Sequence, residues 1–168
     1  RVYNTRSKVH VNSGESWQYV NMSIVEPKFI PLMSLPYRQI DDLDKLTIDL
    51  LEFLKTLPLH VALVLFDRGF YHAKIIDYLN NLRGGKPLPY LILVPQNKAI
   101  KNYISQAKGT LDSFTHQMNY SQDKSKWKPR TKIVIYKTDD VDKNGNPIYY
   151  SYATNQKTSY KIVSDYRK

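Results

Sequence analysis

The residue best placed to do chemistry is Asp67. It follows the apolar run Val61-Ala62-Leu63-Val64-Leu65-Phe66 and precedes Arg68-Gly69-Phe70-Tyr71. An unbroken apolar run of that length reads as a strand buried on both faces. An aspartate at the carboxyl end of such a strand stands where open α/β sheets gather their reactive groups. On a basic protein, a carboxylate in that position points to metal-assisted chemistry on phosphates. A strand-to-helix turn also favours aspartate as a cap, so position alone leaves both roles open. Gly69 permits a sharp exit from the strand. The four histidines, His10, His60, His72 and His116, are scattered without metal-ligand spacing and read as structural or surface groups.

Composition narrows the field. The 168 residues suffice for one domain with a core, and the apolar share of 42% is ordinary for a globular chain. Lys and Arg number 25 against 15 Asp and Glu, a formal charge of +10. Such an excess favours a polyanionic partner, nucleic acid first. There is no cysteine, hence no disulfide framework and no thiolate metal site. No apolar stretch reaches the ~20 residues a membrane helix needs, and Arg1–Arg6 lack a signal-peptide core. A cytoplasmic, nucleoid-associated protein is the expectation. The charge is uneven. Residues 124–168 hold eleven Lys or Arg against four acids, whereas residues 41–52 hold five acids and one lysine.

The elements that must position Asp67 follow from periodicity. Residues 16–25 and 29–35 read as a hairpin, with Pro27, Pro31 and Pro36 restricting the second strand. Acids at 41–44 open a helix over 42–57, with Leu43, Leu46, Leu50, Leu54 and Leu57 on one face and Pro58 ending it. Val61–Phe66 is expected at the centre of a mixed sheet. His72–Leu82 reads as a helix closed by Gly84-Gly85, Tyr90–Val94 as a buried strand and Ala99–Ala107 as a short helix. Thr110–Lys128 is polar and weakly patterned. Thr131–Tyr136 and Ile148–Ala153 read as strands around the turn Asp142–Asn146, where Asn-Gly is a hairpin signal. A last helix opens near Ser159. Tyr120, Trp127, Tyr136, Tyr149, Tyr150 and Tyr152, interleaved with the basic residues, suit base stacking or simply line strands.

Phe66-Asp67-Arg68-Gly69-Phe70-Tyr71 resembles the "DRGFY" element of prokaryotic insertion-sequence transposases of the DDE type. The helix Ala73–Leu79, the strand with its basic tail Tyr90–Lys98 and the β-rich segment 109–157 are similar to the family's. The resemblance implies an α/β, ribonuclease H-like mixed sheet flanked by helices, with 109–157 a β-rich insertion. On that fold Val61–Phe66 is central, and with Val61–Phe66 at an edge the ribonuclease H-like reading fails. Asp67 is then the second of three catalytic acids. Ser164-Asp165-Tyr166-Arg167-Lys168 resembles the opening of the family's Tyr-Arg-Glu-Lys signature, with Tyr166 its tyrosine. The first acid is expected before Arg1, because residues 1–40 contain only Glu15 and Glu26, and the third after Lys168. The chain thus reads as a core fragment truncated at both ends.

The implied activity is DNA transposition: metal-dependent phosphodiester cleavage and strand transfer on transposon ends and target, by a dimer or higher assembly. Two Mg2+ (or Mn2+) ions are expected, with Asp67 a ligand, and the fragment alone is expected to be inactive. Arg68, Lys98, Lys101, Lys124, Lys126, Lys128, Arg130, Lys132, Tyr166 and Arg167 are the expected DNA contacts. Two other classes compete. One acid of three cannot assemble a two-metal site, which leaves room for a non-catalytic nucleic-acid-binding α/β domain. A receiver-like regulator with Asp67 as acceptor lacks that fold's paired acids.

Overall fold

A computed structural model describes residues 18–38, 40–82, 86–118, 128–157 and 162–163. Strands β1 (Gln18–Ile24) and β2 (Ile30–Tyr37) form an antiparallel hairpin, Gln18 opposite Tyr37, with an irregularity at Met22/Ser23. Helix α1 (Leu43–Thr56) starts where Asp42 accepts the Lys45 N–H at 3.1 Å. That cap satisfies one of the orphan donors of the first turn. Thr47, Leu50, Leu51 and Leu54 are its buried stripe.

A five-stranded sheet carries the rest, in the order β3-β4-β7-β6-β5. Strands β3 (Val64–Phe66) and β4 (Tyr90–Leu93) are parallel, Phe66 beside Ile92. Between them lie a 3-10 turn, Arg68–Phe70, and helix α2 (Ala73–Asn80). Helix α3 (Lys98–Gln106) follows β4, and Asn97 caps it by accepting from Ile100 N at 3.1 Å. Strands β5 (Leu111–Gln117), β6 (Arg130–Val141) and β7 (Pro147–Thr154) are antiparallel, and β7 pairs antiparallel with β4.

Alternation along the strands divides the core in two. Phe66, Tyr90, Ile92, Ile133, Ile135 and Ala153 pack with α1, α2, Ile100 of α3 and the hairpin's Val20 and Met22. Leu91, Tyr136 and Tyr152 point the other way and pack with Val163, with Leu63, Leu65, Leu93 and Leu111 against them. Helices α1, α2 and α3 therefore share one side of the sheet.

Several expectations are corrected. Val61–Phe66 shortens to Val64–Phe66, because the β4 ladder reaches only those residues. This strand lies at an edge of the five-stranded sheet, not at its centre. The hairpin β1–β2 is a separate sheet. Segment 109–157 is continuous with the main sheet through the β7–β4 ladder. Its strand β5 falls in the weakly patterned segment 110–128, since Ser113, Thr115 and Gln117 are exposed and Asp112, Phe114 and His116 half-buried. Strand β6 is twice the length expected. Of the last helix, Ile162 and Val163 are helical; Gly84-Gly85 and most of 159–168 lie outside the described residues. Among the described residues no helix is long and apolar enough to cross a membrane.

Candidate functional site

The parallel pair β3–β4 puts two loops at one rim: Asp67–His72 and Val94–Asn97. Asp67 leaves β3 in extended conformation (φ −73°, ψ 167°), half-buried. Its Oδ1 accepts the Arg68 N–H at 2.7 Å. The cap role left open by the sequence is therefore filled, and a carboxylate still has a second oxygen to offer. Phe70 anchors the turn. It is fully buried, its ring centroid 5.6 Å from that of Phe66. Phe70 N and Tyr71 N donate back to the carbonyls of Asp67 and Arg68 at 3.0 and 3.2 Å, closing the turn.

Tyr71 is half-buried. Its hydroxyl is buried without a partner among the described residues, and burial, with Tyr90 and Tyr103 nearby, raises its pKa. Beside the rim, His72 Nδ1 lies 2.5 Å from Asp44 Oδ1, and Lys74 Nζ lies 3.2 Å from Asp42 Oδ2. The Asp44 hydrogen bond raises the pKa of His72, against burial, which lowers it. His60 is exposed, whereas His116 meets Tyr103 Oη at 3.2 Å and burial lowers its pKa. His72 had no signal as part of a site, because nothing in the sequence brings positions 28 apart together.

The basic residues divide between two rims. Arg68 and Lys98 are exposed at the Asp67 rim, with Lys101 exposed further along α3. Lys128 and Arg130 are exposed toward the opposite end, and Lys132, also exposed, lies three strands across the sheet from β3, through β7 and β4 in the row of Leu65. With strands ~4.8 Å apart and ~3.3 Å rise per residue, Lys132 and Arg130 lie roughly 15–20 Å from Asp67. Lys124, Lys126, Tyr166 and Arg167 lie outside the described residues, as do Tyr120 and Trp127. Tyr136 and Tyr152 are buried in the sheet's second face, so they offer no stacking surface.

An apolar trough of about 910 Å3 runs beside β3, between it and the hairpin. It is lined by Val20 and Met22 of β1, Leu50, Leu51 and Leu54 of α1, Val61–Phe66 and Ile162.

The residues at this rim do not by themselves fit a two-ion site. Asp67 is one hard oxygen ligand, and among the described residues no group of three His, Cys, Asp or Glu is placed to hold a metal. What the rim offers is a carboxylate that caps its own turn, with Phe70 buried behind the turn and Arg68 and Lys98 exposed at the same rim. No family model matches the chain, and neither a curated protein nor a solved structure matches it.

Proposed function

We propose that the chain is part of the catalytic core of a DDE-type insertion-sequence transposase, with Asp67 one of its acids and DNA its partner. The observation that carries this reading is Asp67 itself. It is half-buried and held by a backbone N–H at the carboxyl rim of two parallel strands, where α/β sheets place their chemistry. The motif resemblance and the charge of +10 point the same way.

The edge position of β3 goes against a ribonuclease H-like sheet, so the reading rests on Asp67, the motif and the charge, on a mixed sheet flanked by helices. Asp67 is the residue that would hold a divalent ion, and the further acids of the family's site are not among those gathered at this rim.

A second reading, a non-catalytic nucleic-acid-binding domain, is favoured by the lack of a metal-holding cluster among the described residues. One substitution separates the two. In the full product of the gene, Asp67→Ala is expected to abolish Mn2+-dependent strand cleavage while DNA affinity shifts less than about threefold. The change removes a ligand and barely alters the phosphate-facing charge. Cleavage that survives Asp67→Ala would overturn the assignment. A wild-type protein that binds DNA and never cleaves it would favour the second reading.

A further inference from the structure

The exit of the Asp67 turn is fastened differently from its middle. Phe70 pins the middle by burial. At the exit, His72 occupies the N-cap of α2 yet makes no capping bond. Its ring instead reaches Asp44, in the first turn of α1, at 2.5 Å. The two helices meet start to start. Asp42 at the cap of α1 takes Lys74 at 3.2 Å, and further along Tyr78 Oη donates to Glu52. The groups facing the imidazole are thus Asp44 and Asp42 from α1, with Lys74 on Asp42 from its own helix.

We propose that His72 and Asp44 form a proton-dependent latch that holds the Asp67 turn against α1. When protonated, His72 donates a charge-assisted hydrogen bond, about twice as strong as a neutral one. When neutral, it can donate from Nδ1 in only one tautomer and without charge. The Lys74–Asp42 contact at 3.2 Å is a second tether between the same two helix starts. The turn itself resists little. It is one short 3-10 segment with weak hydrogen-bond geometry, following a three-residue strand.

The sign of the effect follows from linkage. His72 is raised above its ordinary 6.5 in the folded state. Its stabilisation is therefore complete below about 6.5 and is lost as pH rises through the folded value. The latch is closed in acid and slack in base. Its role as a regulator of the site rests on the reading of Asp67 above.

The test is an NMR titration of the 168-residue chain. The His72 ring resonance gives its midpoint, and amide protection factors of Tyr71 and His72 report the turn, since these N–H groups donate to Arg68 O and Phe70 O at 3.2 and 2.8 Å. The expected result is a midpoint above 6.5, with protection falling several-fold across that same midpoint. Asp44→Asn is expected to lower the midpoint and flatten the protection profile. A midpoint at or below 6.5, or protection that stays level through the titration, overturns the latch. If Asp44→Asn does not fold, the wild-type titration alone decides. Level protection beside a cleavage-dead Asp67→Ala sinks the latch and spares the catalytic reading. Tracking protection beside an active Asp67→Ala does the reverse.

Discussion

At the β3–β4 end of the sheet the strands are three and four residues long, parallel, and joined through a helix. At the β6–β7 end they are twelve and eight residues long, antiparallel, and joined by the tight turn Asp142–Asn146. The first end has few ladder bonds and keeps its place because α1 and α2 bury its side chains. The second end holds itself, through a local hairpin ladder and a turn in which Asp142 Oδ1 accepts from Asn144 N and Asn146 N at 2.8 and 2.9 Å. The carboxylate with the best claim to chemistry sits on the end that depends on packing. Its position is thus set by distant apolar contacts, and damage to the core should reach it before it reaches the hairpin.

The largest effect expected from this contrast is at Phe70. Phe70→Ala empties a fully buried site against Phe66 and is expected to cost about 3–5 kcal/mol, read by chemical denaturation. Hydrogen exchange should then localise the loss, with β3 and α2 amides opening well before those of β6 and β7. Equal loss of protection at both ends would show that the sheet opens as one unit and would remove the distinction.

A smaller effect is expected at the seam where the two ends join. Tyr90 of β4 donates its hydroxyl to Thr131 of β6 at 3.0 Å, and Thr131 donates to Thr154 O of β7 at 3.2 Å. Thr154 Oγ1 returns a bond to Tyr90 O at 2.6 Å. Burial pushes the Tyr90 hydroxyl up to about 12. Tyr90→Phe removes a buried donor while preserving shape, and is expected to cost about 1–2 kcal/mol by the same denaturation measurement. A cost near zero would mean that the seam is held by the β4–β7 ladder alone.

The two ends also differ in how much of them could be read in advance. Helix α1 was legible because acids, leucine spacing and Pro58 agree on one answer. The Asp142–Asn146 turn was legible because Asn-Gly demands it, and Gly145 does adopt a positive φ of 80°. The rim position of Asp67 was legible from the apolar run that precedes it. The extent of β3 was not, since an apolar run does not say where its ladder partner begins. Strand β5 was missed because it is an edge strand with one wet face, whose Ser113, Thr115 and Gln117 look like a loop. The His72–Asp44 contact was invisible, because it depends on how two helices dock. The separation of the basic residues into two rims was equally hidden. The alternation of Lys128, Arg130 and Lys132 gives a shared face but not which end of the sheet that face lies on.

That separation yields the prediction with the smallest effect on stability and the sharpest bearing on function. Lys128, Arg130 and Lys132 are exposed, and the structural contact of Arg130 is its carbonyl, which accepts from Asn80 Nδ2 at 2.9 Å and survives substitution. Reversing all three to Glu should therefore change folding stability by no more than about 0.5 kcal/mol. DNA affinity is another matter. Each phosphate contact contributes about −0.9 to the slope of log affinity against log salt, so losing three should flatten it by roughly 2.7. Reversal of Arg68, Lys98 and Lys101 tests the other rim in the same assay. A duplex that touches Asp67 and Lys132 together must span roughly 15–20 Å, or about five base pairs at ~3.4 Å each. If both triple variants flatten the slope, one duplex crosses the sheet from rim to rim. If only the Arg68 set does, DNA is held at the Asp67 rim and the basic stretch on β6 is a solvated surface. If only the β6 set does, DNA lies away from Asp67, and the carboxylate loses its claim on the phosphodiester.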